Sequence, residues 1–401
     1  MFPHLYKRLP KKDKAESPLK GRLLVLYFLG LLLAVSNALP AYIQSNFLGQ
    51  FVDIQTISLF FVIANTFTVV SIIVFPHFIE KLSNYFVAKV VLAIYLVALL
   101  GLTLTNSRGM ALLSIVLFTI ASNLIWINMD VFIESISSNN LTGKIRTIYF
   151  TFINAGWILS PALATYLIGK GNYTLSFLAA AFLVIPYFLI FIGQKHNLKE
   201  RIHYQKESFL VSLKKMSRNK NLRGIFFIAL LLQLFYSSAV IYIPLYLFQN
   251  LKMGWNILGP IFSIMLVPFL LFEIPAGIIA DKYWGEKEIM LSGFIILIAS
   301  LFSFYYIREP IAWLWLLVLF MSRVGAALVE SMKETYFFKI VDVEDVEYIN
   351  IFRTTGPLGY ILGAALAILV IYFLPLNWLF LVLAIVMISG IGFTLSLKDT
   401  K

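Results

Sequence analysis

The 401-residue chain has no cysteine, and only 13% of its residues are charged. Without cysteine there are no disulfides and no thiolate metal sites. The four histidines, His4, His77, His196 and His203, are too scattered to read as a metal centre. Also missing are a Gly-x4-Gly-Lys-Ser/Thr nucleotide loop, a His-Glu-x-x-His zinc helix and a Gly-x-Ser-x-Gly nucleophile turn. No catalytic residues, cofactor or metal are therefore expected, and the chain does not read as an enzyme.

Hydrophobic residues make up 60% of the sequence, whereas a soluble domain carries about 25% charged residues. The excess apolar surface has to face lipid. Apolar runs of roughly 20 residues, the length that crosses a ~30 Å hydrocarbon layer, recur along the whole chain. They lie at 23–47, 56–80, 86–105, 110–137, 144–168, 173–193, 224–249, 255–281, 289–307, 311–337, 348–371 and 376–396. The first follows a basic segment, as a signal peptide would. It is too long for such a segment and lacks a cleavage site, so it reads as a span.

The net charge of +12 resides in two places: residues 1–22 contribute +5 and residues 194–223 contribute +7. Basic segments beside apolar spans are a topology signal, with some contact to anionic lipid, rather than a nucleic-acid surface. Placing both termini and the central segment in the cytoplasm leaves only Arg108, Lys170, Lys252 and Arg308 on the far side. The short tails carry no organelle-targeting extension, so a bacterial plasma (inner) membrane is expected.

Sliding the halves past each other by 200 residues superposes Asp130 and Glu134 on Glu330 and Glu334, and Gly156 on Gly356. At 204, Pro40-Ala41-Tyr42 meets Pro244-Leu245-Tyr246. The expected fold is an all-α polytopic membrane protein with twelve transmembrane helices in two pseudo-symmetric six-helix bundles. The bundles are 23–193 and 224–396, with 194–223 as linker and tails at 1–22 and 397–401. Parallel duplication of this kind puts a cavity near the midplane between two halves that can rock.

The eighth span ends Gly277-Ile278-Ile279-Ala280-Asp281-Lys282-Tyr283-Trp284-Gly285-Glu286-Lys287. A glycine there permits close helix approach, and an acid among bases can latch neighbouring helices in one gating state. The alternative is a solvated cluster of loop charges. The segment resembles the cytoplasmic signature of the major facilitator superfamily, with one extra residue before the second glycine. The matching place in the first half, Pro76 to Asn84, keeps the acid–base pair as Glu80-Lys81 but lacks the glycines. The resemblance implies a monomeric secondary transporter that moves a small solute by alternating access.

Ser322-Arg323-Val324-Gly325 in the tenth span is similar to an Arg-then-small motif of that family. An ionised side chain at that depth costs about 2.5–3.5 kcal/mol on insertion scales and needs a partner or water. Its first-half counterpart is the neutral Asn123. Glu273 in the eighth span is the expected partner, and the pair reads either as a cavity-facing site at which Glu273 exchanges a coupling proton or as a structural ion pair. Asp130 and Glu330 lie one turn deeper than Glu134 and Glu334. The outer acids read as cytoplasmic latches, Glu134 with Lys81, Lys144 and Arg146, and Glu334 with Lys282, Lys287 and Arg353.

The fifth span reads Gly156-Trp157-Ile158-Leu159-Ser160-Pro161-Ala162-Leu163-Ala164-Thr165. It is similar to a relaxed form of a signature of proton-coupled exporters in the family, which favours export; ordinary helix packing gives the same pattern. Asn37, Asn65, Asn123, Trp126, Asn154, Gln233 and Tyr236 are candidate cavity-lining residues, or interhelical contacts. Their weakly charged chemistry suits an amphiphilic solute, with H+ as coupling partner. An uptake symporter or facilitator for a sugar, peptide or other metabolite is the alternative, and a non-transporting membrane sensor is the reading from another class.

Overall fold

The computed structural model describes residues 16–136, 142–169, 172–194, 209–341 and 346–398. All regular elements among them are helical, as a chain surrounded by lipid requires, because helices satisfy their own backbone N–H and C=O groups. The first half comprises α1 (Glu16–Ala41), α2 (Gln44–Leu48), α3 (Ile54–Leu82), α4 (Asn84–Leu104), α5 (Arg108–Ile136), α6 (Thr142–Ile168) and α7 (Thr174–Gly193). A short amphipathic α8 (Phe209–Arg218) leads to α9 (Lys220–Ser237). Then come α10 (Trp255–Ile264), α11 (Val267–Lys282), α12 (Glu286–Tyr306), α13 (Ala312–Ile340), α14 (Val346–Arg353), α15 (Thr355–Phe373) and α16 (Trp378–Ser396). Twelve helical stretches among the described residues are long and apolar enough to cross a membrane.

The two prolines at corresponding depth interrupt their helices differently. Beyond Pro40, α1 ends at Ala41 and the chain turns into α2. Around Pro244 the helix beginning at α9 continues, but widens into π turns at Ser238–Tyr242 and Tyr246–Asn250. Proline cannot donate the helical hydrogen bond, and wider turns let the chain pass it without stopping. Such π segments inside α-helices are often found at functional sites.

Contacts divide the chain into two compact units, residues 1–51 with 67–205, and residues 52–66 with 206–401. The beginning of α3 thus groups with the second unit, where the Tyr242 hydroxyl donates to Ser58 Oγ at 2.8 Å. A division at the central segment alone would place it in the first.

Within the first unit α1 packs on α6 and α7, and α4 on α5 and α7. Within the second, α9 packs on α15 and α16, and α12 on α13 and α16. The same pairing recurs, and so do lengths: α4 and α12 each have 21 residues, α5 and α13 each 29. Internal duplication therefore extends from sequence to packing.

Small residues set the closest approaches. A Cβ on Gly325 of α13 would lie 2.7 Å from the Gly293 carbonyl oxygen of α12, and one on Gly156 would lie 2.8 Å from Ala34 Cβ of α1. Gly277 and Gly356 play no such part, because a Cβ at either meets nothing within 4 Å. The close approach expected at Gly277 is thus corrected: that face of α11 is open. In the α6/α15 pair the close glycine of the second unit is Gly359, against Gln233.

Candidate functional site

Helix α13 carries most of the second unit's buried charge. Arg323, Glu330 and Glu334 recur at near-helical spacing, which brings them to one side of the helix. Lys333 lies between the two acids with its Nζ 2.9 Å from Glu330 Oε1 and 2.9 Å from Glu334 Oε1. Its residue is 2% exposed. Arg353, the last residue of α14, donates to Glu334 Oε1 at 2.9 Å. The Tyr236 hydroxyl of α9 donates to Glu330 Oε2 at 3.2 Å, so α9, α13 and α14 are tied together through polar atoms. Only Lys333 of this network is fully buried, its partners being half-buried, and such an ion network is weak evidence for stability, because desolvation offsets much of the attraction.

Glu273 of α11 belongs to the same network. Ser331 Oγ of α13 donates to its backbone carbonyl at 3.4 Å, which sets α11 beside the Glu330–Lys333 turn. Arg323 is 1% exposed. Its guanidinium donates to Ser322 Oγ at 3.2 Å and stands 5.3 Å from the Phe235 ring centroid.

The ion pair expected between Glu273 and Arg323 is not among the contacts of the described residues. Seven residues separate Arg323 from Glu330, about 10 Å of helix, and Glu273 lies with the Glu330–Lys333 level. The Tyr236 hydroxyl stands at the Glu330 level, where it makes its hydrogen bond.

Lys333 is the residue that sequence reasoning missed, having been grouped with the basic residues of the terminal side. The signal was present: Glu330-x-x-Lys333-Glu334 places a base within one turn of both acids. Of the partners expected for Glu334, Arg353 is in contact with it. Lys282 is exposed, and Lys287 Nζ donates instead to the Leu397 carbonyl at 3.4 Å.

The candidate amides on α1, α3 and α5 bond within their own unit, Asn65 falling in the part of α3 that groups with the second unit. Asn37 Nδ2 donates to Ser122 Oγ, Asn65 donates to the Phe61 carbonyl at 2.8 Å, and Asn123 to the Thr119 carbonyl at 2.9 Å. Asp130, Trp126 and Asn154 are half-buried, and Glu80 and Lys81 are exposed at the end of α3. A pair that sequence reasoning overlooked, Asn84 and Asn128, joins α4 to α5: Asn128 Nδ2 donates to Asn84 Oδ1, and Asn84 Nδ2 donates to the Asn128 backbone carbonyl at 3.2 Å. The side chains of Glu134, Lys144, Arg146 and Asp281 lie outside the described residues.

The family model described as Major Facilitator Superfamily matches residues 23–328 and 251–401. No curated protein matches the chain. Among solved structures, a single-site variant of the nucleoside transporter NupG superposes with a TM-score of 0.71 at 18% identity, covering 95% of this chain and 100% of that one. NupG itself gives 0.71 at 17%, covering 94% and 98%. A bacterial homologue of the human lysosomal transporter Spinster gives 0.73 at 10% identity, covering 96% and 98%. At these identities the likeness is one of fold.

Proposed function

The chain belongs to the major facilitator superfamily and is a membrane transporter, not an enzyme; from that premise we propose a secondary active transporter, working by alternating access of its two six-helix bundles and coupled to protons. The observation that carries the coupling is the position of Glu273, a half-buried carboxylate residue whose backbone meets Ser331 of α13 beside the lysine that Glu330 and Glu334 share. Carboxylates gathered around one lysine within a membrane span make a site at which a proton can be taken up and released. Loss of that proton restores repulsion between Glu273 and Glu330. A difference of that kind between two conformations is what couples an ion to a conformational equilibrium.

Arg323 is the second member of this reading. Held by a neutral hydroxyl and an aromatic face, it retains donors for a solute or for water. Export of amphiphilic compounds is the direction favoured by the Gly156-to-Thr165 signature, although Gly156 and Ser160 pack on α1, a role that an importer shares. Nucleoside uptake is the second reading, favoured by the two NupG structures among the similar folds.

The test is pH-gradient-driven flux in proteoliposomes, with amphiphilic cations, nucleosides, sugars and peptides as solutes. Glu273→Gln is expected to keep solute counterflow and lose gradient-driven accumulation. Arg323→Ala is expected to lose both. Gradient-driven accumulation by Glu273→Gln at the wild-type level would rule out its role as proton carrier.

A further inference from the structure

A groove of about 470 Å³ opens between the start of α9 and the end of α16, lined by Lys220, Arg223, Gly224, Ser389, Gly392, Phe393 and Ser396. Its mouth is cationic. Lys220 and Arg223 are exposed there, and exposed Lys398 is brought alongside by its backbone N–H, which donates to Asn221 Oδ1 at 3.0 Å. Lys287 reaches the same end of α16 through the Leu397 carbonyl. The nearby acids are turned elsewhere: Glu286 pairs with Lys339, and Glu288 accepts from the Gly285 amide at 3.0 Å.

Below the mouth the groove is apolar and open. A Cβ on Gly392 would meet nothing within 4 Å. Phe393 stacks on Phe227 with ring centroids 5.0 Å apart, forming a flat wall. Ser389 and Ser396 turn their hydroxyls back to the carbonyls of their own helix, so they leave no polar demand in the groove. From Ser396 to Ser389 the groove follows eight residues of α16, about 10 Å along the helix. Around it the exposed faces of Ile385, Ile388 and Leu395 belong to membrane-spanning segments.

A cationic mouth above an apolar slot in the lipid-facing surface matches one molecule in its surroundings. We propose that this groove binds an anionic phospholipid, with its phosphate at Lys220 and Arg223 and the upper part of an acyl chain along Gly392 and Phe393. The start of α9 adds the positive end of its dipole, with the Asn221 and Leu222 amides already held by the Asn219 cap. The site takes a neutral zwitterionic lipid poorly, because the phosphate charge would be offset by the headgroup's own cation. It ties α9 to α16, and so links the membrane's charge to the helix that carries Tyr236.

Native mass spectrometry of the detergent-solubilised full chain, titrated with phosphatidylglycerol or phosphatidylcholine, tests this. Wild-type protein is expected to retain one phosphatidylglycerol selectively. The double variant Lys220→Ala with Arg223→Ala removes two surface cations and should bind phosphatidylglycerol about thirtyfold more weakly, with phosphatidylcholine unchanged. Gly392→Leu fills the slot without altering charge and should weaken phosphatidylglycerol as well. Equal affinity of wild type for both lipids, or unchanged selectivity in both variants, would overturn the assignment. So would protection against thermal unfolding by inorganic phosphate equal to that by the lipid.

Discussion

Lys333 shows how a single side chain can organise a membrane interior. It neutralises Glu330 and Glu334 at the same distance, 2.9 Å, and lies 5.3 Å from the centroid of the Phe352 ring. Replacing it with methionine keeps most of its volume and leaves the two carboxylates, among the described residues, with Arg353 and Tyr236 as partners. Breaking one partner of a buried pair costs about 3–5 kcal/mol, so Lys333→Met is expected to lower the thermal midpoint in detergent markedly. Adding Glu330→Gln should recover part of the loss; no recovery would show that the lysine acts by packing alone. The acids of this network were legible in the sequence because carboxylates in apolar spans are rare. Which base serves which acid was not legible, since side-chain directions and helix rotation decide it.

At the scale of elements, glycines that look equivalent along the chain differ in what they touch. Gly325 faces the Gly293 carbonyl, whereas Gly277 faces open space. Gly325→Val should therefore force α12 and α13 apart at a cost of about 1–3 kcal/mol. Gly277→Ala, despite sitting in the more recognisable motif, should stay within about 0.5 kcal/mol of wild type. Thermal unfolding of the two variants side by side checks both, and a larger effect at Gly277 would contradict the packing described. The prolines give a similar lesson. Their positions at corresponding depth are visible from sequence, but that the chain breaks after Pro40 and widens into π turns around Pro244 is seen only in the structure.

For the whole molecule, the lack of cysteine makes topology directly measurable. Ser107→Cys, in the loop before α5, should react with a membrane-impermeant maleimide in intact cells. Ser217→Cys, in α8, should react only after permeabilisation. The opposite pattern would reverse the orientation inferred from the basic segments. Residues 1–22 and 194–223 carry the charge surplus and the apolar runs set the number and length of the spans, because crossing a bilayer demands about 20 apolar residues and basic flanks resist translocation. Those requirements act locally, so the sequence by itself determined the helical class, the spans and the duplication. The pairing of Lys333 with both acids, the separation of Arg323 from Glu273, the grouping of residues 52–66 with the second unit and the cationic groove between α9 and α16 all depend on how helices far apart in the chain rotate and pack. Spacing along one helix cannot specify that, and only the tertiary structure decided it.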